Sequence, residues 1–259
     1  LVTDDPNLRE TALRDHLETL TYLRQPIGRT TQPIHSFFAQ VGNEPSVQLV
    51  TRAQEWYARN HLIKTEYGQL PLLSAAAPAK TGGRSGAGNY IDIPAGALAL
   101  RNIAHVYPFP NHLAFVLATG SEVRDWLEHS ASNFLTICAG ARDQPLVDQD
   151  FPSYNFDVID GITYEIDLSA PARFDPKGRV AAAKSNRVKN LKHNGRAILQ
   201  SDLFVVVTNS FRSSGAGWCK FAEDAKRINC GHISVRDVIL QYLRANPEYT
   251  PDTRSIWRF

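Results

Sequence analysis

LFVVVTNS, Leu203 to Ser210, is the stretch on which the fold turns. Apolar residues run unbroken from Leu203 to Val207, three of them valine. That pattern matches a strand buried on both faces, not one with a solvated side. Such a strand needs neighbours. HLAFVLAT, His112 to Thr119, reads as a second strand, and Thr119 with Glu122 forms a T-x-x-E capping box that opens a helix over SEVRDWLEHSA. YNFDVIDGITYEIDL carries Asp160-Gly161 between two alternating runs, and RVKNLKHNGRAIL carries Asn194-Gly195 in the same way. Both predict β-hairpins with tight turns.

Further out, LPLLSAAAP and YIDIPAG read as short strands flanking the glycine-rich loop AKTGGRSGAGN. Leu8, Ala12, Leu13, Leu17, Leu20 and Leu23 follow the helical period in NLRETALRDHLETLTYLRQP, which Pro26 stops. That helix precedes the rest as a connector would. A second helix follows NEPS, with Val47, Val50, Ala53, Tyr57 and His61 along one face. Ser234 caps a last helix, VRDVILQYLRAN, ended by Asn246-Pro247. Strands and helices mix without βαβ alternation or a fixed-period repeat. The expected class is α+β, mixed layers with mostly antiparallel sheets.

The composition is that of a globular chain, 43% hydrophobic and 21% charged, and the net charge of +2 implies no strong field for nucleic acid or membrane. No apolar run reaches the length of about 20 residues that a membrane helix needs. The start, LVTDDPNLRE, has no charged and apolar leader, and methionine is absent throughout, so a mature or excised fragment is expected. Of three cysteines, Cys138 is expected as a small buried hydrophobe, while Cys219 and Cys230 could close a local disulfide.

The eight histidines are scattered, with no HExxH or clustered metal-ligand spacing, and no serine sits in G-x-S-x-G. No catalytic set is expected in this chain. GGRSGAG and SSGAGW lack the following helix that phosphate loops use, although Arg84 among glycines could approach an anionic oxygen. The aromatics say more. VYPFPNHLAF places Phe109 between two prolines that stiffen the backbone, just before a strand. Phe211 stands just after one, in TNSFRSSGAG. A flat heterocycle between two such rings would gain roughly 1 to 3 kcal/mol per stacking contact. Asn111 and Asn209 would offer amide donors and acceptors to its edge. Asp157 and Asp160 in YNFDVIDG read as structural, Asp160 as the turn residue and Asp157 as a partner for nearby backbone.

LPLLSAAAPAKTGGRSGAGNYIDIPAG, LRNIAHVYPFPNHLAFVLATGSEVRDWLEHSA, YNFDVIDG and LFVVVTNSFRSSGAG resemble the C-terminal domain of the 5′-nucleotidase superfamily. Within it they are most similar to the periplasmic 2′,3′-cyclic-nucleotide 2′-phosphodiesterase/3′-nucleotidases. The resemblance runs from about Gln25 to the closing WRF. It implies that residues 1–25 are an interdomain linker helix and residues 26–259 a nucleoside-binding domain. It further implies a preceding metallophosphoesterase domain, absent from this chain, that holds two divalent metal ions and does the hydrolysis.

By motif, Phe109 and Phe211 match the two aromatics that stack the base, and Asn111 the asparagine that touches base or ribose. Arg84 of GGR matches an arginine facing ribose and phosphate. The chain departs from its relatives in using Phe at both stacking positions, where tyrosine is frequent, and in reading TTQPIHSFF where related 5′-nucleotidases carry further arginines. The partners implied are nucleosides, 3′-nucleotides, 2′,3′-cyclic nucleotides and the chain's own catalytic domain, in the periplasm. Alternatives are a 5′-nucleotidase or nucleotide-sugar hydrolase, or a stand-alone nucleoside-binding module. The isolated chain is expected to be inactive.

Overall fold

The structure, a computed structural model, describes residues 5–83, 86–218, 225–229, 231–252 and 254–259. Its helices are α1 (Pro6–Leu23), α2 (Pro45–Leu62), α3 (Leu100–Val106), α4 (Gly120–Ser130), α5 (Ser210–Ser213) and α6 (Val235–Ala245). The strands begin with β1 (Pro26–Thr30), β2 (Ile34–His35), β3 (Leu72–Ala76), β4 (Asp92–Ile93), β5 (Gly96–Ala99), β6 (Leu113–Thr119) and β7 (Val158–Asp160). They continue with β8 (Ile162–Ile166), β9 (Val188–His193), β10 (Arg196–Ala197), β11 (Leu203–Asn209), β12 (Arg227–Ile228), β13 (Glu248–Tyr249) and β14 (Trp257–Arg258).

The valine-rich strand is where its sequence puts it. β11 lies in the middle of a five-stranded sheet of order β12-β6-β11-β3-β7. It runs antiparallel to β6 and parallel to β3. Phe204, Val205, Val206 and Val207 are all buried, so both faces of the strand are covered. Each such side chain contributes about 1.5 to 3 kcal/mol through removal from water. Helix α2 packs on β3, β7 and β11, and α4 on β6, β7 and β9. A four-stranded sheet (β10-β9-β8-β14), a three-stranded sheet (β13-β1-β5) and the β2-β4 pair complete an α+β fold. Antiparallel pairings dominate, as expected from the sequence.

The local signals mostly form as read. Thr119 accepts from the Glu122 amide while the Glu122 carboxylate takes the Thr119 N–H at 2.6 Å, closing the capping box of α4. Asn194 and Gly195 have φ of 48° and 78°, the left-handed pair of a type I′ turn, and β9 and β10 flank it as a hairpin. Ser234 caps α6, and Asn246 ends it.

Three expectations are corrected. Asp160-Gly161 is not a hairpin turn: β7 pairs with β3, whereas β8 pairs with β9 and β14 in another sheet. Only Gly161, at φ 94°, separates the two strands, so the chain swerves from one sheet to the next. A Cβ there would lie 2.9 Å from a Leu73 methyl, which reserves the position for glycine. Asp160 steadies the swerve by accepting from the Gly161 N–H and, at 3.3 Å, from the Thr51 hydroxyl.

Cys138 is exposed, not buried, because the Gln144 carboxamide bonds both its N–H and its carbonyl and holds it on a surface turn. The YIDIPAG strand shrinks to Asp92–Ile93, since Pro94 has no N–H to continue the ladder. Helix α1 does form, capped by Asp5, but Leu8, Leu13 and Leu17 of its leucine row face solvent and nothing on it is buried. Cys219 and Cys230 lie outside the described residues. No described helix is long and apolar enough to cross a membrane.

Candidate functional site

The register of the central sheet builds the site. Asn209 at the end of β11 pairs with Leu113 at the start of β6, so the segment entering one strand and the segment leaving the other emerge together. Ala76 at the end of β3 pairs with Val158 at the start of β7, bringing two more segments to the same end. Between them opens a cavity of about 230 Å³, lined by Ala77, Tyr107, Phe109, Asn111, Tyr154, Asn209, Phe211 and Arg212. The sequence separated these residues by up to 135 positions, 212 − 77, and one end of the central sheet gathers them.

Phe109 and Phe211 flank the cavity, 37% and 39% exposed, so each ring keeps part of its surface open to a ligand. Phe109 rests edge-on against Tyr107, with centroids 5.9 Å apart and planes at 85°. Its backbone is held beyond what the two prolines do. Arg236 of α6 donates from Nε to the Tyr107 carbonyl at 3.0 Å, and from its terminal nitrogen to the Pro108 carbonyl. Sequence explains the clamp only in part, because Arg236 lies 127 residues after Phe109.

Phe211 is held differently. It is the second residue of the single turn α5, where the Asn209 side-chain oxygen caps the Arg212 N–H at 3.0 Å. The next side chain, Arg212, is only 2% exposed. Its guanidinium bonds Asp157 through Nε at 2.5 Å and Asn155 at 3.0 Å, and lies 5.4 Å from the Phe211 ring centre. Asp157 also accepts from the Trp126 indole at 2.7 Å. Gly217, at φ 69°, closes over this pair, and a Cβ there would collide with the guanidinium at 1.9 Å. Beside the network, burial pushes the His129 imidazole down to about 4, and the Arg212 charge adds to the effect. Tyr107 is buried in the cavity wall, and burial raises its phenol above the ordinary tyrosine value.

Four of the sequence-derived candidates, Phe109, Asn111, Asn209 and Phe211, therefore share one cavity. Asn209 is less free than its sequence suggested: its oxygen is spent on the α5 cap, and its side chain also hydrogen-bonds the Tyr107 hydroxyl. Arg84 lies outside the described residues. Sequence reasoning missed Tyr107, Tyr154 and Arg212. Arg212 directly follows Phe211, yet only the fold reveals that Asp157 of YNFDVIDG is its buried partner. Asp157 is structural, as read, but through this ion pair and the indole in place of backbone alone.

Comparison with known proteins places the chain. The family described as "5′-nucleotidase, C-terminal domain" matches residues 26–223. The trifunctional nucleotide phosphoesterase protein YfkN of Bacillus subtilis is 44% identical over 248 residues, 95% of this chain and 17% of that protein. A 2′,3′-cyclic-nucleotide 2′-phosphodiesterase/3′-nucleotidase of Yersinia enterocolitica is 36% identical over 269 residues, covering 100% of this chain and 41% of the relative. This chain thus spans well under half of either relative. Among solved structures, a 5′-nucleotidase precursor from Thermus thermophilus shares the fold, with a TM-score of 0.70 at 18% identity over 96% of this chain and 42% of its own.

Proposed function

The chain belongs to the 5′-nucleotidase C-terminal domain family, and on that premise we propose that it is the substrate-binding half of a phosphoester hydrolase. Its substrates in this reading are 2′,3′-cyclic nucleotides and 3′-nucleotides, the chemistry carried in the name of the Yersinia relative. The observation that carries the reading is the cavity between Phe109 and Phe211, bordered by Asn111 and Asn209. A nucleobase fits between the rings by stacking, and the amides meet its edge. Holding the nucleoside fixes where the phosphoester projects, which lowers the barrier by positioning alone.

Among the described residues no three His, Cys, Asp or Glu side chains come together as a metal-binding group. The two divalent ions implied by the family resemblance are proposed to sit in a preceding metallophosphoesterase domain, and no step is routed through them here. Helix α1, with no buried residue, suits the connector role proposed for residues 1–25. Arg84 is proposed to face ribose and phosphate, and the protein to act in the periplasm; both rest on the family resemblance.

Calorimetric titration of the protein with adenosine tests the reading. Saturable binding is expected, and Phe109→Ala and Phe211→Ala should each weaken it about 5- to 150-fold, the equivalent of about 1 to 3 kcal/mol. Undiminished binding by both variants, or none by the folded parent, overturns the assignment of the cavity. Metal-dependent phosphate release by this chain, freed of any preceding domain, would overturn the division of labour.

A further inference from the structure

Two stacking rings accept any base, so discrimination among bases has to come from a polar group in the cavity. Most of the candidates are already committed. Arg212 directs its donors to Asp157, Asn155 and the carbonyls of Tyr154 and Ala216. The Asn209 oxygen takes the Arg212 N–H. Asn111 remains, half-buried on the cavity wall, and among the described residues its oxygen accepts no hydrogen bond. A carboxamide can present either its oxygen or its nitrogen, and something must choose.

The Asn111 nitrogen donates to the Tyr107 hydroxyl at 3.2 Å. That hydroxyl belongs to a side chain only 5% exposed, whose ring edge meets Phe109 and whose carbonyl is fastened by Arg236. A phenylalanine would fill the same space without a polar atom to satisfy in a dry site. The hydroxyl's neighbours are the two asparagine amides of the cavity, which also temper the rise in its pKa. With the nitrogen held back, the Asn111 oxygen is the atom left for the ligand.

We propose that Tyr107 is a positioning residue: its hydroxyl fixes the Asn111 carboxamide with the oxygen toward the ligand, so that the cavity favours nucleosides whose base presents an amino group. The proposal rests on the nucleoside reading of the cavity.

Adenosine and purine riboside, which differ only in the exocyclic amino group, are the probes. The parent is expected to bind adenosine about five- to tenfold more tightly, the worth of one hydrogen bond. Tyr107→Phe should bring that ratio to within about twofold, because the ratio cancels the stacking that both probes share. Asn111→Ala should likewise bring the ratio to within about twofold, and the double variant should lower it no further, as expected when one residue acts through the other. Asn111→Asp supplies an acceptor oxygen in either orientation. In the Tyr107→Phe background it should therefore restore the preference for adenosine, a rescue that a purely packing role would not produce.

A parent ratio near one, an undiminished ratio in Tyr107→Phe, or no rescue by Asn111→Asp overturns the proposal. Purine riboside separates the two layers. If Phe109→Ala and Phe211→Ala leave its binding unchanged, the nucleoside reading itself falls. If they weaken it while Tyr107→Phe keeps the parent's ratio, only the role of Tyr107 falls.

Discussion

The two arms of the cavity hold equivalent rings by opposite means. The Phe109 arm is fixed through its backbone, by prolines at positions 108 and 110 and by Arg236 bonding the carbonyls of Tyr107 and Pro108. The Phe211 arm is fixed from beneath, by the buried Arg212–Asp157 pair and its indole and asparagine partners. Backbone stiffness restricts the unfolded chain as much as it shapes the folded one, so its loss is cheap. A buried charge pair is unforgiving, because removing one partner strands the other away from water. The arms should therefore differ far more in what they contribute to stability than in what they contribute to binding.

The sharpest test of that difference is Asp157→Ala. It leaves the Arg212 guanidinium 2% exposed and without its carboxylate. A loss of about 3 to 5 kcal/mol in unfolding free energy is expected, read by urea denaturation. A loss below about 1 kcal/mol would show that the Phe211 arm is no more dependent on its charges than the other arm.

Close behind comes the pH response of the same region. His129 is buried against Phe151 and Phe174, and among the described residues its Nε2 has no hydrogen-bond partner. Burial lowers its pKa from 6.5 to about 4, with Arg212 pushing the same way and Asp157 and Asp175 opposing. The unfolded chain thus binds the proton first. Stability should fall as pH drops from about 6.5 to 4, by about 3 kcal/mol from this residue, and level off below. Glu128, whose pKa burial raises, works in the opposite sense, so the informative quantity is the difference between the parent and His129→Leu. A difference curve that stays flat across that window would place the imidazole in a wetter setting than its packing implies.

A smaller effect is expected on the Phe109 arm. Arg236→Ala removes two bonds to the carbonyls of Tyr107 and Pro108. Unfolding free energy should drop by only about 1 to 2 kcal/mol, while adenosine binding weakens a few-fold because the ring must be ordered on association. Equal damage from Arg236→Ala and Asp157→Ala would erase the contrast between the arms.

How far the sequence foretold all this follows the range of the interactions. β11, the α4 capping box and the Asn194-Gly195 turn depend on residues within a few positions of one another, and all are legible. Asp160-Gly161 carries the same turn grammar and misleads, because the strands on either side find better partners elsewhere, β3 for one and β9 for the other. The leucine row of α1 obeys the helical period yet Leu8, Leu13 and Leu17 stay exposed and no residue of the helix is buried, since periodicity announces a face but not what covers it. Within the cavity, Phe109 and Phe211 were readable as a matched pair at strand ends. Arg212 and Tyr107 were not, for their roles depend on Asp157 and on two asparagines brought in by register.

The prolines provide the finest test, because they change rigidity and little else. Pro110 carries no backbone donor, so replacing it breaks no hydrogen bond of its own. Pro110→Ala should cost about 0.5 kcal/mol of stability, and Pro110→Gly more, as each step frees the unfolded chain further. Adenosine affinity should fall in the same order, roughly twofold and then several-fold, if a preorganised ring is what the proline provides. The corresponding series at Gly215 of the Phe211 arm, which already tolerates a φ of 81°, offers no such gradient. Affinities that ignore the order Pro, Ala, Gly would mean that Tyr107 packing and Arg236 hold Phe109 unaided. The proline clamp would then shape the chain before it folds and not the ring when it binds.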